Sequence, residues 1–313
     1  MLSGNKIKDY VTIMLFILIF SIISIMPISV ISFISTCITA ALIGYLTITV
    51  PYLYLPSAFI CMALVYYLFS GSFLLVLSGA LPIMLCGFSL GIGCNLKTTP
   101  LKMIMVATGV QTLNITFHLK ISQSVTSQNF IENVATAMEQ MYQEILSTTP
   151  GATGEIRALV SQIISVLIKF SPAFIVILSF NFALLSYYFF KQICMLRKAN
   201  CNALSAFSKW RADKSIGIIF FIMLALSFLL PANTLIVDAV YNVVTVMAYV
   251  FFILGLSVIE FLLLRRFQKS WSRKMILFII AFVATMIAGI PFFIISVAGA
   301  MDSFLDYRKI SSR

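Results

Sequence analysis

The chain has 313 residues, of which 61% are hydrophobic and only 10% are charged, and its mean hydropathy is +1.07. A soluble domain carries about 25% charged residues, because a surface that faces water needs them. The composition therefore excludes an ordinary soluble enzyme, a disordered chain and a secreted disulfide scaffold. The net charge of +11 does not indicate nucleic-acid binding, since the basic residues lie in short loops between apolar runs.

Apolar runs of membrane-spanning length recur along the chain. All are expected to be helical, because a backbone in hydrocarbon must satisfy its own hydrogen bonds. We predict an all-α polytopic transmembrane bundle of about nine spans that forms a single integral membrane domain over 1–313; eight and ten spans stay open. The runs lie at about 10–26, 28–50, 54–70, 72–93, 101–118, 159–190, 216–232, 236–264 and 274–299.

The charged loops orient these spans. Residues 191–214 and 265–274 each carry a net charge of +5, and residues 94–102 add Lys97 and Lys102. The positive-inside rule places these three loops in the cytoplasm, with the protein a multi-pass protein of the bacterial cell (cytoplasmic) membrane. Residues 119–158 carry a net charge of −2 and are expected outside. Nine spans leave the basic tail at 308–313 outside, against the charge bias, whereas eight or ten spans bring that tail inside.

The predicted outer loop contains a helical pattern. Ile131, Val134, Met138 and Met141 follow helical spacing, and glutamates fall on the other faces. We predict an extracytoplasmic amphipathic helix at about 127–147. It lies on the outer membrane surface or caps the bundle, and the alternative is a lid over an outward-facing cavity.

The motifs of soluble enzymes are absent: GxSxG, HExxH, the Walker A loop and GxGxxG do not occur. His118 is the only histidine, so a site of several histidines or a histidine-containing triad lacks parts. The six cysteines include no CxxC pair and are interpreted as small hydrophobic residues. We predict no enzyme activity, no cofactor and no metal site; an intramembrane enzyme using Asp238 with His118 is the least favoured class.

The candidate functional residues are the polar residues inside the predicted spans. Polar side chains are costly in lipid, so they usually face other helices or a water-filled cavity. Three such stripes fall in the outer half of the predicted bundle, where they line one pocket or serve only packing. Lys169 is the strongest candidate, expected to contact an anionic ligand group or to snorkel to the interface. The stripes are Gln111, Asn114 and His118; Gln162, Ser165 and Lys169; and Asp238, Asn242 and Thr245.

Two other intramembrane polar residues and three small-residue motifs complete the inventory. Glu260 is expected to pair with Arg265 or Lys274, with a proton relay as the weaker alternative. Asn181 is expected to donate across helices or to line a pathway. Small residues four apart predict close helix packing; they are Ala40 and Gly44, Gly87 and Gly91, and Ala284 and Ala288.

Three features occur in a distinctive order: Pro172 and Asn181 before a basic loop, the run from Gly255 through Glu260 to Arg265-Arg266, and a tail of Asp302-Ser-Phe-Leu-Asp-Tyr-Arg-Lys. In these features the chain resembles the YybS-like family of bacterial membrane proteins. That family is distantly similar to the S components of energy-coupling-factor transporters. The resemblance implies capture of a small molecule from outside and docking onto a separate ATPase module.

We therefore predict a small-molecule binding or transport component. Its expected partners are membrane lipids, a small-molecule ligand and a cytoplasmic partner or ATPase module, without nucleic acid. The competing hypothesis is a membrane scaffold whose basic loops dock a cytosolic protein or anionic lipid. The predicted pocket is lined by Gln111, Asn114, His118, Lys169, Asp238 and Asn242.

Overall fold

The computed structural model of the chain describes residues 4–25, 29–126, 136, 140, 155–199, 201, 205–231, 235–267, 269–287, 289–305 and 307–308. Over these residues the structure is helical and contains no strand, which confirms the all-α prediction. The predicted amphipathic helix at 127–147 lies outside the described residues, apart from positions 136 and 140.

Ten α-helices and two short 3₁₀ turns are described. The turns are Tyr52–Tyr54 and Phe207–Lys209. The helices are α1 (Gly4–Ser24), α2 (Ser29–Thr49), α3 (Leu55–Ser70), α4 (Phe73–Asn95), α5 (Pro100–Thr126), α6 (Glu155–Leu196), α7 (Lys214–Leu229), α8 (Leu235–Arg266), α9 (Ser270–Met286) and α10 (Ile290–Leu305).

Five stretches of the described residues are long and apolar enough to cross a membrane by length and composition. They are Ile7–Ser24, Val30–Thr49, Tyr52–Ser70, Ile168–Leu196 and Ile236–Arg266. Three shorter apolar helices accompany them, at Gly79–Asn95, Lys214–Leu229 and Ile290–Leu305.

The apolar run 274–299 differs from its prediction as one span. It falls in two helices, α9 and α10, which are separated between Met286 and Ile290. Gly289 has a φ of 86°, a backbone conformation open to glycine and strained for other residues. A single glycine inside a continuous apolar run is a weak sequence signal, and hydropathy alone therefore merges the two helices.

The chain divides into two compact units, which are described separately below. The first unit comprises Met1–Ile168 and Ile175–Ala203, and the second comprises Lys169–Phe174 and Leu204–Arg313. The expectation of one integral membrane domain stays a prediction.

In the first unit, two of the predicted small-residue motifs pack against each other where α2 crosses α4. A Cβ atom placed on Gly87 would lie 2.3 Å from the carbonyl oxygen of Ala40, and one on Gly91 would lie 2.6 Å from that of Gly44. Distances this short leave no room for a side chain, so the absence of one is what lets the two backbones approach. The sequence prediction of close packing is correct here.

The helices of the first unit share one end that we call the basic end. The start of α1 and the end of α6 meet there, where the Asp9 carboxylate pairs with the Arg197 guanidinium at 2.9 Å. The ends of α2 and α4 lie there too, because Thr49, Asn95 and Ala199 line one cavity. The loop that follows α4 and the loop that follows α6 therefore share a side, as the charge pattern predicts.

In the second unit, α7 and α8 run in opposite directions. The rings of Phe220 and Phe251 lie 4.9 Å apart, and the Tyr241 hydroxyl donates to the Ser227 carbonyl at 3.3 Å. The later residue of α7 thus meets the earlier residue of α8. This is the arrangement of two antiparallel neighbours.

Helix α10 ends beside the start of α7. The rings of Phe221 and Phe304 lie 5.7 Å apart, and Arg211 donates to the Ser303 carbonyl at 3.1 Å. Helix α10 therefore runs antiparallel to α7 and parallel to α8. Helix α9, which joins α8 to α10 in the chain, runs in the opposite direction. Residues 307–308 consequently lie at the same end of the second unit as residues 205–213. The count of about nine spans stays a prediction.

Candidate ligand-binding cavity

A cavity of about 380 Å³ lies in the first unit. Helix α2 contributes residues from its first turns, whereas its last turn is at the basic end, so the cavity lies toward the opposite end of the unit. Its volume is within the range of about 300–1,000 Å³ that is typical of small-molecule sites. The lining residues are Phe33, Thr36, Tyr66, Gly79, Pro82, Ile83, Gln111, Asn114, Ile115, His118, Leu178 and Phe182.

Three polar residues of α5 face this cavity together, as their spacing predicts. Gln111 and Asn114 are each only 8% exposed, and His118 is half-buried. Within the described part of the chain, the Gln111 Oε1, Asn114 Nδ2 and His118 Nδ1 atoms have no hydrogen-bond partner. Leaving one buried polar group unpaired costs about 1–3 kcal/mol. Three such atoms on one cavity wall are available to hydrogen-bond a molecule in the cavity.

The remaining walls are apolar and aromatic. The rings of Phe33 and Phe182 meet edge to face with centroids 6.0 Å apart, and the Tyr66 hydroxyl is bonded to the Ser24 hydroxyl at 3.0 Å. None of the described lining residues is Asp, Glu, Lys or Arg. Such walls suit a flat, uncharged molecule with one polar edge.

Lys169, Asp238 and Asn242, the other predicted pocket residues, lie together in the second unit. Lys169 Nζ is 3.7 Å from Asp238 Oδ1, and both side chains are partly exposed. A ligand anion at Lys169 would compete with the Asp238 carboxylate. The prediction of one pocket shared by all six residues stays a prediction, because each set of three lies within its own unit.

The remaining residues of the other two stripes, Gln162, Ser165 and Thr245, are bonded locally or exposed. The Thr245 hydroxyl donates to the Tyr241 carbonyl of its own helix at 2.8 Å. Gln162 and Ser165 are exposed on α6.

Asn242 clamps α6 beside Pro172. Its Oδ1 accepts the Ala173 N–H at 2.9 Å, and its Nδ2 donates to the Lys169 carbonyl at 2.8 Å and to the Asp238 carbonyl at 2.8 Å. In a regular α-helix the Lys169 carbonyl and the Ala173 N–H bond to each other. Here a side-chain amide from α8 bonds both groups, one residue from a proline that weakens the helix ladder.

For Glu260 and Asn181, the two other intramembrane polar residues, the predicted partners and roles stay predictions. The described residues include no ion pair from Glu260 to Arg265 or Lys274, and Glu260 Oε2 is buried without a hydrogen-bond partner there. The Arg265 guanidinium lies over the Phe261 ring, 4.9 Å from its centroid. The Asn181 amide donates within α6, to the Ile177 carbonyl at 2.9 Å.

The buried ion pair at the end of α10 is not among the sites that the sequence predicts. The Arg308 and Asp302 side chains are 1% and 2% exposed, and Arg308 Nη2 lies 2.6 Å from Asp302 Oδ2. Arg308 also donates to the carbonyls of Ser208 and Trp210, both at 2.6 Å, and to the Ser257 hydroxyl at 2.8 Å. The polar tail pattern signals this pair in the sequence, but its partners are about 50 and 100 residues away along the chain.

One comparison with known proteins identifies a family. The family model described as "Predicted membrane protein (DUF2232)" matches residues 14–303. No curated protein and no solved structure matches the chain significantly. The match covers nearly the whole chain and agrees with its apolar helices, so the protein is embedded in a membrane. The chain therefore belongs to the DUF2232 family of predicted membrane proteins.

Proposed function

We propose that this protein binds a small molecule in the cavity of its first unit. One observation carries the proposal: the unpaired polar atoms of Gln111, Asn114 and His118 converge on the same cavity. Buried polar atoms of this kind are usually paired, and in membrane spans they commonly mark a ligand or substrate path. The proposal assigns the chain no catalytic role.

The same residues define the chemistry of the ligand. Gln111 offers an acceptor oxygen, Asn114 offers a donor amide, and the His118 ring nitrogen completes a polar edge. The remaining lining is apolar and carries no formal charge among the described residues. The ligand we propose is therefore uncharged and planar, with adjacent donor and acceptor groups like those of a carboxamide or a nitrogen heterocycle.

We further propose ten membrane crossings in a bacterial cytoplasmic membrane, with the basic loops in the cytoplasm. Six helices alternate in direction in the first unit and four in the second, which supports an even count. Ten crossings bring residues 308–313 to the cytoplasmic side, so that all strongly basic segments obey the positive-inside rule. The cavity then lies in the outward half of the bundle and captures its ligand from outside.

Reporter fusions test the ten-crossing topology. Green fluorescent protein fused after Arg313 should fluoresce, and alkaline phosphatase fused at the same place should be inactive, because residue 313 is placed in the cytoplasm. The same reporters fused after residue 150 should show the opposite pattern and serve as the control. An active phosphatase at residue 313 would support nine crossings and contradict the proposal.

Transport is the finer part of the proposal and follows the resemblance to S components of energy-coupling-factor transporters. Such a protein delivers its ligand by docking a separate ATPase module, and an ion gradient is the alternative energy source. The competing scaffold function predicts that charge reversal within 197–214 abolishes activity while changes in the cavity are silent. The transport function predicts the opposite pattern.

The ligand-binding proposal predicts that apolar replacement of Gln111 and Asn114 raises the stability of the protein without ligand and abolishes ligand binding. In Gln111→Leu/Asn114→Leu, two unpaired polar groups are replaced by apolar ones. The protein without ligand should therefore gain about 1 kcal/mol or more of unfolding free energy. The measurement is thermal unfolding in detergent micelles, alone and with uncharged planar heterocycles such as nicotinamide, adenine and uracil. The ligand that raises the midpoint of the native protein should no longer do so in the variant.

Thr36→Val is the matched control for this experiment. Thr36 lines the same cavity, but its hydroxyl already donates to the Phe33 carbonyl at 2.7 Å. This variant should keep the ligand-induced rise in midpoint. The proposal is contradicted if the double variant loses stability and still responds to the same ligands as the native protein. Gln111 and Asn114 would then stabilise the fold and would not bind a ligand in the cavity.

A further inference from the structure

Three cysteines of the first unit converge at its basic end. Cys94 lies at the end of α4, Cys194 in the last turn of α6 and Cys201 just beyond that helix. The Cys94 and Cys201 sulfur atoms are 3.4 Å apart although 107 residues separate them in sequence, and the Cys194 side chain hydrogen-bonds that of Cys201. None of these thiols is in a disulfide. Sequence spacing gives no hint of this meeting.

The Cys94 and Cys201 pair is accessible. A cavity of about 560 Å³ is lined by both residues, together with Lys97 and Asn95, and both thiols belong to half-buried residues. The chain offers an internal contrast, because Cys37 and Cys86 are fully buried. A small reagent can therefore reach the first pair and not the two buried cysteines.

We propose that Cys94 and Cys201 form a reversible dithiol–disulfide couple. The oxidant is a low-molecular-weight disulfide that enters the 560 Å³ cavity. One thiol loses its proton and attacks the oxidant, forming a mixed disulfide and releasing one small thiolate. The second cysteine thiolate then attacks the mixed disulfide, forming the Cys94–Cys201 bond and releasing the second small thiolate. The two protons lost by the cysteines convert these thiolates to thiols, so two cysteines are oxidised as one small disulfide is reduced.

The geometry needs little adjustment. A disulfide bond is about 2.05 Å long, so the sulfur atoms must approach each other by about 1.4 Å from their separation of 3.4 Å. Cys201 lies outside any helix, and a short backbone shift there accommodates the approach. The bond would tie the segment after α6 to the end of α4.

The location of the Cys94 and Cys201 pair suits a disulfide that forms only under oxidising conditions. The basic end carries the Asp9–Arg197 pair and Lys97, and it is the end that we place in the cytoplasm. Cytoplasmic thiols are kept reduced, so a disulfide there is transient and reports an oxidising challenge. The Cys194 thiol and burial raise the pKa of the Cys201 thiol, which slows exchange near neutral pH because the thiolate is the attacking species.

The test is oxidation of the full chain in detergent micelles with glutathione disulfide over several hours, followed by alkylation of the remaining thiols and peptide mapping. We expect Cys94–Cys201 to be the main intramolecular disulfide, with loss of two alkylatable thiols per chain and full recovery after dithiothreitol. Cys94→Ser and Cys201→Ser should each abolish this cross-link. Cys86→Ser should leave the cross-link unchanged.

Two outcomes would overturn the proposal. One is that both thiols stay fully alkylatable at oxidant concentrations that cross-link a model dithiol peptide. The other is that oxidation yields only stable mixed disulfides with glutathione. Direct mapping of the native chain keeps the test decisive even where a serine variant folds poorly.

Discussion

Arg308→Met should lower the free energy of unfolding by about 3–5 kcal/mol, because it leaves the Asp302 carboxylate buried without its cation. The guanidinium also donates to two carbonyls and to the Ser257 hydroxyl, and each of these acceptors loses its charged donor. The measurement is unfolding in mixed micelles with increasing SDS, followed by tryptophan fluorescence.

Two further variants make this result specific. Arg197→Met removes the same side chain from the exposed Asp9 pair, whose members are 36% and 57% exposed, and should cost at most about 1 kcal/mol. Asp302→Asn/Arg308→Met removes both charges and should be more stable than Arg308→Met alone. A loss at Arg308 no larger than the loss at Arg197 would show that the buried pair does not hold the end of α10.

The same ion pair bears on the proposed ten-crossing topology. A basic tail on the outer side would contradict the distribution of the other basic residues. The buried contacts of Arg308 with residues 208 and 210 place it at the end of the second unit where the basic loop lies. Under the proposed topology this arginine lies on the cytoplasmic side, and its side chain is buried there.

Helix existence, close packing and the cavity stripe were predictable because each depends on local spacing. The paired motifs at Ala40–Gly44 and Gly87–Gly91 are visible as small residues four apart, and they meet in the structure. Gln111, Asn114 and His118 lie on one helical face, and they line one cavity. Periodicity identifies the residues that share a helix face, and a polar face within a membrane usually lies against other helices or a water-filled cavity.

The features that were missed depend on contacts distant in sequence or on a single backbone angle. The Cys94–Cys201 meeting joins residues 107 apart, and no local pattern encodes it. The break at Gly289 is one positive φ inside an otherwise continuous apolar run. Lys169 and Asp238 were each identified as unusual, but their mutual pairing required the placement of two helices.

Asn242 shows why a polar residue in a span is ambiguous on sequence alone. The same amide suits a ligand or a neighbouring backbone, and here its donors and acceptor are all used by Lys169, Ala173 and Asp238. Asn114 differs because its amide nitrogen has no partner among the described residues. The distinction between a structural and a binding residue is therefore the state of its hydrogen bonds, which spacing does not encode.

Asn242→Leu should lower the free energy of unfolding by about 2–3 kcal/mol, since it removes three hydrogen bonds and leaves backbone groups beside Pro172 without the amide that bonds them. Ala173 is almost fully buried, so water cannot replace the lost acceptor there. Unfolding in SDS mixed micelles measures the loss. Thr245→Val is the matched control, because Thr245 bonds only within α8 in the described structure and should change stability by less than about 0.5 kcal/mol.

Asn242 and the cavity residues should differ in the sign of the change in unfolding free energy on apolar replacement. Apolar replacement of Asn114 should stabilise the protein without ligand, whereas apolar replacement of Asn242 should destabilise it, although both are asparagines inside apolar helices. Asn242→Asp sharpens the comparison, because it keeps an acceptor for the Ala173 N–H and loses the donor to Lys169, and it should remain below the native stability. If Asn242→Leu matched the native protein, the two backbone groups would pair with each other just as well, and the clamp would contribute nothing to holding α6 at its proline.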